Sequence, residues 1–153
     1  ICESIEEAVK DADIINVAAS GKVYPRIEEK WLKPGAFLTL PAGIDMEEEF
    51  LVSDRCRRVV DNWKMYEAWS EELTKPYWNI MGLIGTKYLD LIEEGKLSVS
   101  QIDNLGEIIA GKKEGRKSDE EIILFGMGGM PVYDVAWGFQ MLENVRKIGR
   151  AHV

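Results

Sequence analysis

The clearest strand signal in the sequence is the run Ile14-Ile15-Asn16-Val17-Ala18-Ala19, which is short, largely apolar and rich in β-branched residues. A capping-box pattern at Ser4 and Glu7 precedes it and predicts a helix over residues 4–11. Short apolar runs of this kind are typical of parallel strands that are covered on both faces. We therefore expect a helix followed by a buried, central parallel strand.

Three further strand signals follow along the chain. They cover residues 36–40 after a Pro34-Gly35 turn, residues 58–61, and residues 122–125 before Gly126. Apolar residues at helical spacing predict a helix over 80–92 with Gly95 after its end, and Pro131 marks the start of a last helix. Short strands that alternate with helices predict an α/β protein with a mainly parallel sheet.

Composition narrows the class of protein. The chain has 153 residues, of which 46% are hydrophobic and 30% charged, as expected for about one globular domain. Its net charge of -8 argues against nucleic acid or an anionic membrane as a partner, and no apolar run approaches the roughly 18 residues of a membrane span. Cys2 and Cys56 are far apart and match no metal-ligand spacing, so we expect reduced thiols, no metal and a cytoplasmic location.

Both ends of the chain carry an expectation. The chain begins at Ile1 close to a helix and a strand, so we expect an upstream portion. The hexapeptide 148–153 resembles the translation of a sequencing-library adapter, and we treat it as a non-native tail. Because this tail holds the only histidine, His152, the remaining sequence offers neither Ser-His-Asp nor Cys-His catalysis.

A binding site is expected at one edge of the sheet, because ligands bind beyond the carboxyl ends of open parallel sheets. Small residues follow three strand signals, at 18–20, 41–45 and 126–129, and would let a flat ring approach the backbone. Asp45 at this rim is a candidate general acid or base. The alternative is that Asp45 caps the helix-like segment 46–51 and the glycines serve as turns. For Asp61, a turn or cap role is expected.

Six short motifs occur in an order that resembles the ornithine cyclodeaminase/mu-crystallin family. They are Ala12-Asp13-Ile14-Ile15, Trp31-Leu32-Lys33-Pro34-Gly35, Gly43-x-Asp45, Val59-Val60-Asp61, Leu105-Gly106-Glu107-Ile108-Ile109-Ala110-Gly111 and Ser118-Asp119-Glu120-Glu121-Ile122-Ile123-Leu124-Phe125. The resemblance covers residues 1–147. Within it, a helical stretch near 69–97 resembles a family-variable insertion.

The resemblance implies a larger protein. Members combine a Rossmann domain that binds NAD or NADP with a substrate and dimerisation domain. Residues 1–147 would then form the second half of a Rossmann-like, doubly wound domain plus the C-terminal helix, with the glycine-rich first turn upstream. The implied protein is an enzyme that transfers a hydride between the cofactor and an amino acid or imine. Type members convert ornithine to proline and ammonia. We expect a homodimer at full length and an inactive isolated chain.

The resemblance also assigns roles to individual residues. Asp45 falls on the catalytic aspartate, which exchanges a proton with the substrate amine and contacts cofactor and substrate. The implied cofactor contacts are Ala19, Ala42, Gly43, Ile44, Asp45 and Met127, and Gly128 is the implied substrate contact.

Two positions depart from the ornithine-specific pattern. Gly126-Met127-Gly128-Gly129 replaces the usual Asp-Ser-Val-Gly, and Glu49 stands where those members carry a lysine. The alternatives to an enzyme are a non-catalytic, crystallin-like protein that binds NAD(P) or a small ligand, and a subunit of an amine-oxidising complex.

Overall fold

The computed structural model describes residues 1–19 and 21–150, with only the backbone of Arg150. Its centre is a five-stranded sheet in which every pair of neighbouring strands is parallel. The strands are β1 (Ile14–Asn16), β2 (Phe37–Leu40), β3 (Cys56–Val60), β4 (Ile102–Asn104) and β5 (Ile122–Gly126), in the spatial order β1-β2-β5-β3-β4. The predicted α/β class and parallel sheet are confirmed.

Helices connect and flank the strands. They are α1 (Ile5–Val9), α2 (Glu48–Val52), α3 (Trp63–Glu72), α4 (Trp78–Met81), α5 (Ile84–Glu93), α6 (Leu105–Ile109) and α7 (Pro131–Arg150). The predicted cap of the first helix is confirmed, because the Ser4 hydroxyl accepts a hydrogen bond from the backbone N–H of Glu7. The helix predicted over 80–92 is instead divided at Gly82, whose φ of 63° is left-handed. Gly95 does follow the end of α5, with a φ of 73°.

One face of the sheet carries most of the core. Leu38, Leu40 and Leu124 are fully buried there, together with side chains of α2, α3 and α5 such as Phe50 and Tyr66. The opposite face is covered less: the rings of Phe37 and Phe125 stack there with centroids 6.4 Å apart beside an apolar hollow of about 380 Å³. α6 and the loop that follows it line the same hollow through Ile108 and Gly115. The sheet therefore has one closed face and one partly open face.

Three details of the strand prediction are wrong. β1 stops at Asn16 and lies at the edge of the sheet, and Ile14 is 70% exposed because, within the described residues, no strand lies beside β1 on the side away from β2. The third signal was placed two residues late, since β3 begins at Cys56 and ends before Asp61. β4 was not predicted at all, because Ile102 is the only apolar residue in this strand.

The last helix projects from the sheet. α7 begins at Pro131 as predicted, and its apolar side chains, including Trp137 and Phe139, are 46–71% exposed. No helix in the described part of the chain is long and apolar enough to cross a membrane. Of the expected non-native tail, residues 148–150 continue α7 and residues 151–153 lie outside the described part.

Candidate functional site

The loops that follow β1, β2 and β5 lie along the carboxyl edge of the sheet. The strand register sets Leu40 beside Gly126, and the N–H of Met127 donates to the carbonyl of Leu40 at 3.2 Å. On the other side of β2, the N–H of Val17 donates to the carbonyl of Thr39 at 2.9 Å. The three loops predicted to form the site therefore share one rim, as the rule for parallel sheets requires.

Asp45 is fixed at this rim through its backbone. Its N–H donates to the carbonyl of Pro25 and its carbonyl accepts from the N–H of Ile27, both at 3.0 Å. The side chain is 57% exposed, and its Oδ1 lies 3.1 Å from Nη1 of Arg26. Asp45 therefore presents a carboxylate to solvent from an anchored backbone position.

The alternative role of Asp45 as a helix cap is wrong. The helix that follows is α2, its N-cap is Glu47, and no side chain hydrogen-bonds to its first turn as a cap. Asp45 lies three residues before the first residue of α2, and its carboxylate is directed toward Arg26 instead. A structural cap therefore does not explain an aspartate at this position.

Sequence reasoning missed Arg26. Its Nη1 contacts Asp45, and its Nη2 lies 3.1 Å from Oε1 of Glu47. The second oxygen of Glu47 accepts from the N–H of Glu29 at 3.2 Å, so the ion pairs join the segment before Asp45 to the start of α2. Nothing in the spacing of Arg26 indicates this pairing, because the two partners are brought together only by the tertiary fold.

Gly43 does not leave open space for a ligand on its side-chain side. A Cβ there would overlap the ring of Tyr24 and the carbonyl of Gly82. The Tyr24 ring also packs against Trp78, with centroids 4.9 Å apart. The interpretation that Gly43 lets a flat ligand approach is therefore wrong for this side of the residue, since glycine is needed there to accommodate Tyr24.

The other predicted cofactor contacts differ in their exposure. Ala19 is exposed and lines a groove of about 510 Å³ between α1 and β1, Ala42 and Met127 are half-buried, and Ile44 is buried in the core. Contact between a cofactor and any of these residues stays a prediction. The side chain of Ile44 points into the core, which leaves its backbone as the part facing the rim.

The loop after β5 is held from two sides. Asp61 donates from its backbone N–H to the carbonyl of Gly126 at 3.1 Å, and its Oδ2 accepts from the N–H of Gly128 at 2.8 Å. On the opposite side, a Cβ on Gly128 would overlap Cε of Met65 and lie 3.1 Å from the hydroxyl of Tyr66. Asp61 thus ties the loop to the end of β3, which is more than the turn or cap role expected from the sequence.

Two other features of the structure bear on the location of the site: a second hollow, and the placement of residues that could bind a metal. A hollow of about 630 Å³ lies at the opposite edge of the sheet, near Pro34 and the first residue of β5, Ile122. Ligands of parallel sheets bind at the carboxyl edge. Because this hollow lies at the other edge, we do not assign it as the binding site. Among residues 1–19 and 21–150, no group of three or more His, Cys, Asp or Glu side chains is placed to hold a metal ion.

Comparison with known proteins agrees with this architecture. The sequence model of the ornithine cyclodeaminase/mu-crystallin family matches residues 1–149. The chain belongs to this family. The family match spans the whole sheet, the rim with Asp45 and almost all of α7, so the resemblance stated from six short motifs is confirmed.

Two curated relatives in the family show how much of a longer protein this chain represents. N-((2S)-2-amino-2-carboxyethyl)-L-glutamate dehydrogenase of Staphylococcus aureus is 26% identical over 95% of this chain and 38% of its own length. Delta(1)-pyrroline-2-carboxylate reductase of Bacillus cereus is 27% identical over 95% of this chain and 41% of its own length. The chain therefore spans about two fifths of the length of either relative.

A solved structure supports the fold. The Delta(1)-pyrroline-2-carboxylate reductase of Thermococcus litoralis, in complex with NADH and L-proline, superimposes with a TM-score of 0.67. The two share 23% sequence identity over 97% of this chain and 42% of that protein. The similarity covers the sheet and its flanking helices, which confirms a Rossmann-like arrangement.

Proposed function

We propose that this chain forms the second half of an NAD(P)-dependent oxidoreductase that acts on an amino acid or its imine. The observation that carries the proposal is the position of Asp45, an exposed carboxylate anchored by its backbone at the carboxyl edge of a parallel sheet. Family membership supports it, as do the dehydrogenase and reductase among the curated relatives.

The chemistry of the residues along the rim supports a site for the flat ring of a dinucleotide. Ala18 and Ala19 are exposed, Ala42 and Met127 are half-buried, and all four side chains are small or apolar. A surface made of these four side chains suits an aromatic ring and ribose. It suits a pyrophosphate less well, because a pyrophosphate needs clustered backbone N–H groups. We place the pyrophosphate site in the remainder of the longer protein. When bound, NAD(P)H supplies the hydride for the reaction.

Asp45 would exchange a proton with the substrate nitrogen. In imine reduction its protonated carboxyl gives a proton to the nitrogen, and in the reverse direction its carboxylate takes the proton from the amine. Arg26 contacts Oδ1, so Oδ2 is the oxygen available to the substrate. The ion pair and the two backbone hydrogen bonds would fix the direction of this oxygen relative to the rim.

The proposed reaction is reduction of an imine or oxidation of an amino acid, rather than the cyclodeamination of ornithine. Two observations support this choice. The curated relatives are named as a dehydrogenase and a reductase, and the loop Gly126-Met127-Gly128-Gly129 lacks the serine of ornithine-specific members. A glycine-rich loop also offers no side-chain hydroxyl for an ornithine-specific contact.

We also propose that the longer protein is a cytoplasmic homodimer. α7 carries a broad apolar surface with side chains such as Val135, Trp137 and Leu142 exposed, and burial against the rest of the longer protein or its second copy would remove this surface from water. Cys2 and Cys56 are both free thiols, which suits a reducing compartment.

Substitution of Asp45 by asparagine in the full-length protein tests the proposed function. We expect turnover with NAD(P)H and cyclic or acyclic α-imino acids to fall at least about 100-fold, because the proton donor is lost. The dissociation constant for NADH or NADPH should stay within about twofold. Asp54→Asn is the matched control, since Asp54 is exposed at the opposite edge of the sheet, two residues before β3, and should leave turnover unchanged.

The competing functions give different results. A non-catalytic binder would bind the dinucleotide with and without the Asp45→Asn substitution and turn over no substrate in either form. A subunit of an amine-oxidising complex would co-purify with a partner chain and be active only with it. Full turnover by the Asp45→Asn variant would refute the role assigned to this residue.

A further inference from the structure

Asp61 is absent from the site residues derived from the sequence, yet it holds the loop that contains two of them. Its backbone N–H donates to the carbonyl of Gly126, and its Oδ2 accepts from the N–H of Gly128. These two hydrogen bonds lie on either side of Met127. The N–H of Met127 itself donates to the carbonyl of Leu40 in β2. Residues 126–128 are thus fixed to the ends of β2 and β3, the two strands on either side of β5.

We propose that Asp61 is a positioning residue that sets the conformation of the loop 126–129 for cofactor and substrate through the N–H of Gly128. The proposal rests on the function proposed above and on the contacts that the family resemblance implies, in which Met127 contacts the cofactor and Gly128 the substrate. Asp61 would act from behind the loop and would not touch either ligand.

The environment of Asp61 suits this role. The residue is 7% exposed, and its second oxygen, Oδ1, accepts from the N–H of Asn62 at 2.9 Å. Hydrogen bonds to a carboxylate are about twice as strong as those between neutral groups. The loop needs such support, because glycine at 126, 128 and 129 gives it unusual backbone freedom, and Gly129 adopts a left-handed φ of 84°.

α3 supports the loop from the other side. Met65 and Tyr66 occupy the space where a side chain on residue 128 would lie, so Gly128 is packed between α3 and the Asp61 carboxylate. Burial and the negative charge of Asp61 raise the pKa of the Tyr66 hydroxyl. Tyr66 supports the loop by packing against Gly128, and Asp61 accepts the hydrogen bond from the N–H of Gly128.

Asp90 provides a matched control for a substitution at Asp61. It is also 7% exposed, and its two carboxylate oxygens accept from the backbone N–H groups of Tyr77 at 2.8 Å and Trp78 at 2.9 Å. Asp90 lies in α5 and supports the start of α4, not the loop after β5. Asp61→Asn and Asp90→Asn therefore remove the same kind of buried carboxylate with the same number of backbone partners.

The experiment compares the two variants in the full-length protein. Both should lower the midpoint of urea unfolding by similar amounts. Only Asp61→Asn should raise the KM and the dissociation constant for the dinucleotide, by about tenfold, because the amide offers one uncharged acceptor oxygen to the two N–H groups that the carboxylate binds. Backbone amide exchange should also accelerate at Gly128 in Asp61→Asn and stay unchanged in Asp90→Asn.

Two results would overturn the proposal. One is equal cofactor affinity in Asp61→Asn and Asp90→Asn. The other needs no variant: in the unmodified protein, the amide of Gly128 should exchange more slowly than that of the exposed Gly129, and equal rates would contradict the hydrogen bond. If the unmodified protein neither binds nor uses a dinucleotide, the proposed function fails, whereas the exchange rates still decide whether Asp61 holds the loop.

Discussion

Replacing Gly85 by alanine places a methyl group where the ring of Tyr66 already lies. Gly85 is the second residue of α5, and a Cβ there would overlap three ring carbon atoms of Tyr66. The ring has little room to move, because Tyr66 is fully buried and its centroid lies 5.9 Å from that of Trp63 and 5.4 Å from that of Trp69. The substitution therefore forces a rearrangement of an aromatic cluster.

Two opposing effects set the size of the change in stability. Alanine is favoured over glycine in a helix by at most about 1 kcal/mol. Inserting a methyl group into a well-packed core costs about 1–3 kcal/mol, and overlap with three atoms of a buried ring places Gly85 in the upper half of that range. We expect the free energy of unfolding to fall by about 1–2 kcal/mol, which lowers the Tm by about 2–8 °C.

Gly106→Ala is the matched control. Gly106 is likewise the second residue of a helix, α6, but no atom beyond its chain neighbours and its own helix backbone lies within 4 Å of its Cβ position. Alanine there should leave the free energy of unfolding unchanged or raise it slightly, by up to about 1 kcal/mol. Urea unfolding, followed by tryptophan fluorescence, measures the free energy of unfolding of both variants. The comparison requires that the m value be the same for both. Equal stability of the two variants, or a gain with Gly85→Ala, would refute the packing described for Tyr66.

Three further outcomes are expected. Burial raises the pKa of the Cys56 thiol to about 12, so a thiol reagent at pH 8 should label only the exposed Cys2 in the native chain and both cysteines in guanidinium chloride. Burial alone would raise the pKa of Asp103, but hydrogen bonds from Lys113 and Arg57 lower it. Its stabilising effect is therefore complete above about pH 4 and lost at lower pH, so Asp103→Asn should flatten the acid-unfolding curve measured by circular dichroism. Finally, calorimetric titration of the 153-residue chain with NADH and NADPH should give dissociation constants weaker than micromolar, with light scattering showing association, and tight binding by a monomer would contradict the assignment of the pyrophosphate site elsewhere.

The class of the fold follows from local patterns because buried parallel strands leave a strong signal. Leu38 and Leu124 lie in runs of apolar residues that continue through both faces of the sheet, and such runs are visible without any tertiary information. The position of Asp45 at the carboxyl edge was predictable for a related reason: it follows the strand signal at 36–40, and the loops after parallel strands share one edge.

The elements that were missed depend on contacts distant in sequence. β4 has one buried apolar residue, Ile102, and is a strand because it pairs with β3. Ile80 and Ile84 keep helical spacing across the break at Gly82, where packing against Tyr24 and a left-handed φ separate α4 from α5. The hydrogen bond from Gly128 to Asp61 spans 67 positions, so no local pattern indicates it.

The strand order has a consequence for how the chain folds during synthesis. Among the described strands, β5 is the last in the sequence, and it lies between β2 and β3 in the sheet. Until residues 122–126 have been made, the described strands can form only the pairs β1–β2 and β3–β4, which have no contact with each other through the sheet, and isolated pairs of strands are marginal in water. The pairing of β5 with β2 and with β3 is therefore a late step that depends on contacts distant in sequence, and such contacts slow folding. Until this step, the edges of β2 and β3 are unpaired and prone to aggregation.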